Sequence, residues 1–172
     1  MKMSLINRGL FILFLSTSAY AGDARGLCHA DEDVVFSCDL EKKVAAVCAS
    51  HGVTATSGYI QYRFGTLAKL EFVYPSELKP PRGHFFFSHT MFSGGDGSRI
   101  RFKNHEHEYF FFSKSVRTNF EPDGNNDPQD SAGIFTRFQN NFSKVRMCLD
   151  WDAMNGPGTD AMDREEFDDD AP

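Results

Sequence analysis

Short segments of this chain alternate apolar and polar positions with a period of two, others are short apolar runs, and no i, i+3, i+4 apolar stripe reaches helical length. In Tyr59-Ile60-Gln61-Tyr62-Arg63-Phe64, alternation puts Ile60, Tyr62 and Phe64 on one face and Tyr59, Gln61 and Arg63 on the other. The first set reads as core and the second as a wetter face. Residues 69–74 alternate again, while 34–38 and 44–49 are short apolar runs joined by the polar link 39–43. Pro75, Pro80 and Pro81 then interrupt the sheet, because proline cannot donate to a strand ladder.

Residues 84–114 hold eight of the 18 phenylalanines, in runs separated by the Gly-rich stretch 93–98. Aromatic side chains suit the pleated, half-buried surface of a sheet, so the pattern predicts a three-stranded antiparallel meander. Alternation buries the outer members of each Phe triplet and turns Phe86 and Phe111 to the opposite side. If that side meets solvent, the two form an apolar patch of the kind that marks an interface. A polar stretch, 115–131, follows as a long loop, and 133–138 and 143–149 form a last hairpin around Asn140-Asn141. The sum is an all-β fold of about nine antiparallel strands in a meander, closed as a sandwich or barrel, with no substantial helix.

The ends differ from this body. Lys2 and Arg8, the apolar run 10–15 and Ala19-Tyr20-Ala21 give residues 1–21 the pattern of a secretory signal peptide. No later segment is long and apolar enough to span a bilayer as a helix. A single β domain is expected over 22–150. From Gly22 to Leu149 acidic and basic residues balance at 15 each, whereas 150–172 carries nine acidic residues against Arg164 alone. Residues 151–172 therefore read as a disordered acidic tail. The neutral body lacks the basic stripe that binding nucleic acid requires.

Four cysteines, Cys28, Cys38, Cys48 and Cys148, survive removal of the signal. An even count in an exported chain predicts two disulfides. A hairpin centred near Glu41 sets Val34 opposite Cys48, so Cys28 can fold back onto Cys48 and leave Cys38 for Cys148. The alternative, Cys28 with Cys38 and Cys48 with Cys148, is open on spacing alone.

Catalytic and metal chemistry find little purchase. His105 and His107 share a strand face, but Glu106 and Glu108 fall on the other, and His84 and His89 have opposite parity. Asp123, Asn125 and Asp127 match the first alternating ligands of a calcium loop, yet Pro128 and Ile134 occupy the positions that need Gly and Glu. His105-Glu106-His107-Glu108 lacks zincin spacing, and no nucleophile elbow is present. No catalytic residue, metal ligand or cofactor is assigned.

The remaining polar cluster is Ser57, Gly58 and Tyr59 with Gln61 and Arg63, an adaptable tip beside an aromatic anchor of the kind binding surfaces use. The segments Phe36-Ser37-Cys38, Val47-Cys48-Ala49-Ser50 and 57–65 resemble a pattern shared by a set of small exported bacterial proteins, over about residues 28–149. Ser57-Gly58-Tyr59 is also similar to the Ser-Gly loop that periplasmic lysozyme inhibitors insert into an enzyme cleft. Together these point to a non-catalytic protein-binding domain in the periplasm of a Gram-negative bacterium, with Ser57, Gly58, Tyr59, Gln61, Arg63, Phe86 and Phe111 as its contact residues. On this reading the partner is another envelope protein, and the domain is an inhibitor or immunity factor against a cell-wall-acting enzyme. The rival readings are a metal-dependent or hydrolytic enzyme using 105–130, and an envelope structural or stress protein.

Overall fold

A computed structural model describes residues 26–150, 153–154 and 156–172, so the expected signal peptide lies outside the described residues. Two antiparallel sheets face one another. The smaller is an up-and-down run of β1 (Glu32–Asp39), β2 (Val44–Ser50), β3 (Ile60–Thr66) and β4 (Lys69–Tyr74). The larger is built on β5 (Phe85–Phe92), β6 (Gly95–Asn104), β7 (His107–Arg117) and β8 (Pro128–Phe138). Short pieces finish it: β9 (Asn141–Phe142) and β10 (Arg146–Met147) pair with β8, and β11 (Asp163–Arg164) runs parallel to β5. The fold is all-β, with a single 3₁₀ turn (Thr159–Ala161) as the only helical element among the described residues.

The core lies between the sheets and is aromatic. Phe36 and Tyr62 from the small sheet meet Phe85, Phe102 and Phe111 from the large one, with the Tyr62 and Phe111 ring centroids 4.8 Å apart. Rings such as these bury a large apolar area each and favour offset or edge contacts. Cross-strand register explains which face each ring takes. Phe87, Ile100, Phe111 and Ile134 are mutual neighbours along one inward row, whereas Phe86, Arg101, Phe110 and Phe135 form the adjacent outward row. Phe111 is therefore 1% exposed and a core residue, contrary to the expectation of a patch shared with Phe86. The triplets of β5 and β7 differ in phase by one residue, and this one-residue offset moves Phe111 inward.

Both disulfides follow the preferred pairing, Cys28–Cys48 and Cys38–Cys148, with Cα separations of 5.4 and 5.0 Å. The β1–β2 register places Val34 opposite Cys48, with the turn at Leu40–Lys43 held by the Leu40 N–H on the Lys43 carbonyl. Such bonds fit an oxidising compartment outside the cytosol. No helix among the described residues is long and apolar enough to cross a membrane.

Three regions depart from expectation. Strands β7 and β8 extend to Arg117 and Pro128, shrinking the expected loop 115–131 to ten residues, 118–127. Eleven strands among the described residues replace about nine, because edge pieces as short as two residues complete the sheet. The acidic C-terminal stretch, expected to be disordered, is laid onto the fold. Ala153 accepts from the Ser37 N–H on the edge of β1, and Gly156 passes so close to Val34 that a Cβ there would meet its carbonyl. Ala161 and Met162 enter the core, β11 pairs with β5, and residues 165–172 cross the outer face of the large sheet. That face carries Arg99, Arg101 and Arg137, so the carboxylates of the tail meet cations instead of one another.

Candidate functional site

The seven expected contact residues do not come together as a surface. Thr54 and Ser57 exchange backbone hydrogen bonds in a tight turn, and Ser57 and Gly58 are exposed beside it. Gly58 has φ 74°, and a Cβ there would lie 2.3 Å from the Ser50 hydroxyl, so conformation accounts for the glycine. The Tyr59 hydroxyl donates to Glu32 Oε1 at 2.7 Å. Gln61 and Arg63 are 6% and 4% exposed, which overturns their assignment to a wet face. The lead-in to β1, pinned by Cys28–Cys48, folds across that side of the small sheet. Arg63 then makes a bidentate pair with Glu32, donates to the Leu27 carbonyl, and receives support from Gln61. Phe86 is half-buried, with the Arg101 guanidinium 4.4 Å from its ring centroid.

Other candidate groups are equally dispersed. His105 occupies the β6–β7 turn with φ 54°, His107 stacks on Phe138 at 4.6 Å, and His89 Nδ1 lies 3.0 Å from the Ser98 hydroxyl. Among the described residues, the one cluster with metal-ligand spacing is Cys28, Glu32 and Cys48, and its two sulfurs are bonded to each other. In the 118–127 loop, the Thr118 N–H and hydroxyl both bind the Asp127 carbonyl, closing it as a turn.

A better-formed site lies where the two sheets diverge, a cleft of about 720 Å³. Tyr62, Phe64 and Phe72 form one wall, and Tyr109, Ile134 and Thr136 the other, while Ser143, Lys144 and Arg146 border the mouth. Its size and apolar walls are those of a ligand pocket. Burial pushes the Tyr62 hydroxyl up, with Tyr109 adding to the shift and Arg146 opposing it. Burial also raises Tyr109. Both phenols therefore remain neutral hydrogen-bond groups at physiological pH. Phe64 has the Lys43 ammonium 5.3 Å and the Arg146 guanidinium 5.7 Å from its ring centroid. Lys43 is neutralised by Glu71 at 2.6 Å, whereas Lys144 and Arg146 enter no ion pair among the described residues. The mouth of the cleft is thus positive on a chain of formal net charge −6.

Comparison with protein-family models, with curated proteins and with solved structures finds no match. Function must come from the site itself. The chemistry available in the cleft is recognition. The Ser143 hydroxyl accepts from the Thr136 N–H and donates to the Lys144 carbonyl, so it is committed to the backbone. Aromatic faces, neutral phenols and two exposed cations can hold an apolar group with carboxylates beside it. Alternation alone marked Tyr62 and Phe64 as core-facing, but the gap between the sheets depends on where β9 and β10 fall. Two-residue pieces leave no periodic signal.

Proposed function

We propose that this chain is a non-catalytic binding domain of the bacterial envelope, and that its binding site is the aromatic cleft between the sheets. The partner on this reading is another envelope protein, offering an apolar or aromatic side chain flanked by carboxylates. The cleft is the observation that carries it: apolar walls open onto the unpaired cations Lys144 and Arg146. Large apolar side chains in desolvated pockets dominate interface energies, and complementary charge at the rim sets partner choice. Two disulfides and the signal-like N-terminus support action in the periplasm. An inhibitor or immunity role against a wall-acting enzyme is the form of this proposal that a small cross-linked exported domain favours.

Selection of a random displayed-peptide library on the folded protein tests the proposal. Enriched peptides should carry an apolar residue beside acidic ones. They should lose at least about tenfold in affinity on Ile134→Trp, which fills the cleft, or on the double charge reversal Lys144→Glu with Arg146→Glu. Peptides of neutral or basic character, or binding that survives both changes, would overturn it.

A further inference from the structure

The inter-sheet cleft holds two hydroxyls that the fold leaves unused. Tyr62 is 3% exposed and packs its ring on Phe72, Phe102 and Phe111. Its hydroxyl has no hydrogen-bond partner among the described residues, unlike that of Tyr59, which donates to Glu32. A buried hydroxyl without a partner is costly, and native interiors rarely seal one in. The Tyr62 hydroxyl is not sealed: among the described residues, Arg99 Nε is the one enclosed side-chain polar atom that lacks a partner. Tyr62 lines the cleft, so its hydroxyl opens there. Tyr109 faces it with ring centroids 6.4 Å apart, and its hydroxyl on the same lining likewise has no partner among the described residues.

A cation borders the same space. Arg146 lies on the lining with its guanidinium 5.7 Å from the Phe64 centroid, and among the described residues it makes neither an ion pair nor a side-chain hydrogen bond. It is close enough to Tyr62 to oppose the rise that burial imposes on that phenol. Glu71, the one acidic residue on the lining, is held by Lys43 at 2.6 Å. Two neutral donors and an unpaired guanidinium within apolar walls call for an anionic acceptor on an apolar body. Resting on the reading of this cleft as the binding site, we infer that it takes a carboxylate of its partner inside, on the Tyr62 and Tyr109 hydroxyls and Arg146, with the attached apolar group along Phe64, Phe72 and Ile134. Such a carboxylate occurs at the end of a polypeptide and on an acidic side chain beside an apolar one. Tyr62 and Tyr109 are then specificity-determining residues, and Lys144 serves the rim.

Calorimetric titration of the full chain with three peptides tests this: N-acetyl-alanyl-phenylalanine, its C-terminal amide, and the internal acid N-acetyl-phenylalanyl-aspartyl-alanine amide. At least one acid should bind about tenfold or more tightly than the neutral amide, since hydrogen bonds to a charged group add that much. Tighter binding of the first would identify a chain end and of the third an acidic side chain; either supports the inference. Tyr62→Phe removes only the hydroxyl and should weaken the acids about tenfold while sparing the amide. Arg146→Gln, at an exposed position, should do the same. A merely structural role for Tyr62 would weaken acid and amide alike. Equal binding of acids and amide, or an equal loss of both through Tyr62→Phe, would overturn the inference and leave the cleft standing wherever Ile134→Trp still abolishes binding. Binding that survives Ile134→Trp would overturn the cleft itself. No saturable binding by any of the three would overturn the carboxylate site, and the displayed-peptide selection then decides the cleft separately.

Discussion

Arg63 and Glu32 show how far a residue's role can depart from its place in a strand. Their side chains are 4% and 0% exposed, and two hydrogen bonds of 2.6 and 2.7 Å join them. Removing one member of a buried pair leaves the other charged and unpaired, so Arg63→Met should destabilise the fold by roughly 3–5 kcal/mol in urea titration. The double change Arg63→Met with Glu32→Leu should recover much of that loss. Burial pushes the Glu32 carboxyl up, but Arg63, the His29 N–H and the Tyr59 hydroxyl outweigh it and hold the group below the usual carboxylate range. A depressed carboxyl stabilises the native state above its unfolded value and loses that contribution as pH falls through its folded value. Stability measured from neutrality downward should therefore decline in acid more steeply in the wild type than in the double variant. Parity alone assigned Arg63 to a wet face. The covering lead-in is held there by a disulfide rather than by any pattern within β3, which is why the strand itself could not reveal it.

Among the elements, the C-terminal segment carries the strongest lesson. Its composition argues for disorder as long as its carboxylates are considered against each other. The partners are Arg101 and Arg137, with Glu108 bridging between them, and residues Glu165 and Asp168 complete an alternating chain of charge. The hydrogen bond from Arg137 lowers the Glu108 carboxyl, against the effect of burial. Acid below that depressed value should remove the Glu108 contribution to the β6–β7–β8 sheet by the same linkage that applies to Glu32. Phe167 packs on Arg99, and Ala171 is buried with Phe110 and Phe135. Truncation after Met162 should lower the melting temperature and raise the fluorescence of an apolar dye, because the outward rings lose their cover. Phe167→Ala should cost about 1–3 kcal/mol in thermal or denaturant unfolding, from lost ring burial and the cation contact. In the structure Arg99 and Arg101 share a face with Phe86 and Phe110, whereas alternation within each triplet set Phe86 and Phe110 on opposite faces, so the cationic aromatic ladder was not legible. What it accepts lies more than sixty residues away, and no local rule connects the two.

At the scale of the molecule, the all-β class and the presence of two disulfides were legible, with the observed pairing set beside one open alternative. Alternation, short apolar runs and aromatic runs identified the eight long strands, and the β1–β2 register made Cys28–Cys48 possible and left Cys38 for Cys148. The second bridge spans 110 residues. By chain entropy its removal through Cys38→Ser with Cys148→Ser should cost about 4–5 kcal/mol, against about 3 for the bridge spanning only 20 residues, as read by urea unfolding of each double variant. The sheet-to-sheet gap was not legible, because it depends on short edge pieces placed by contacts distant in the chain. The same topology also sets an order of assembly. Strand β1 receives its covalent partner from position 148 and its edge hydrogen bond from position 153, while the outer face of the large sheet waits for residues 163–172. A ribosome delivers the chain from its N-terminus, so the first strand made is among the last to be secured. Until the acidic end emerges, the nascent protein carries an open β edge and a bare row of rings, and those are the surfaces a holding chaperone would need to shield.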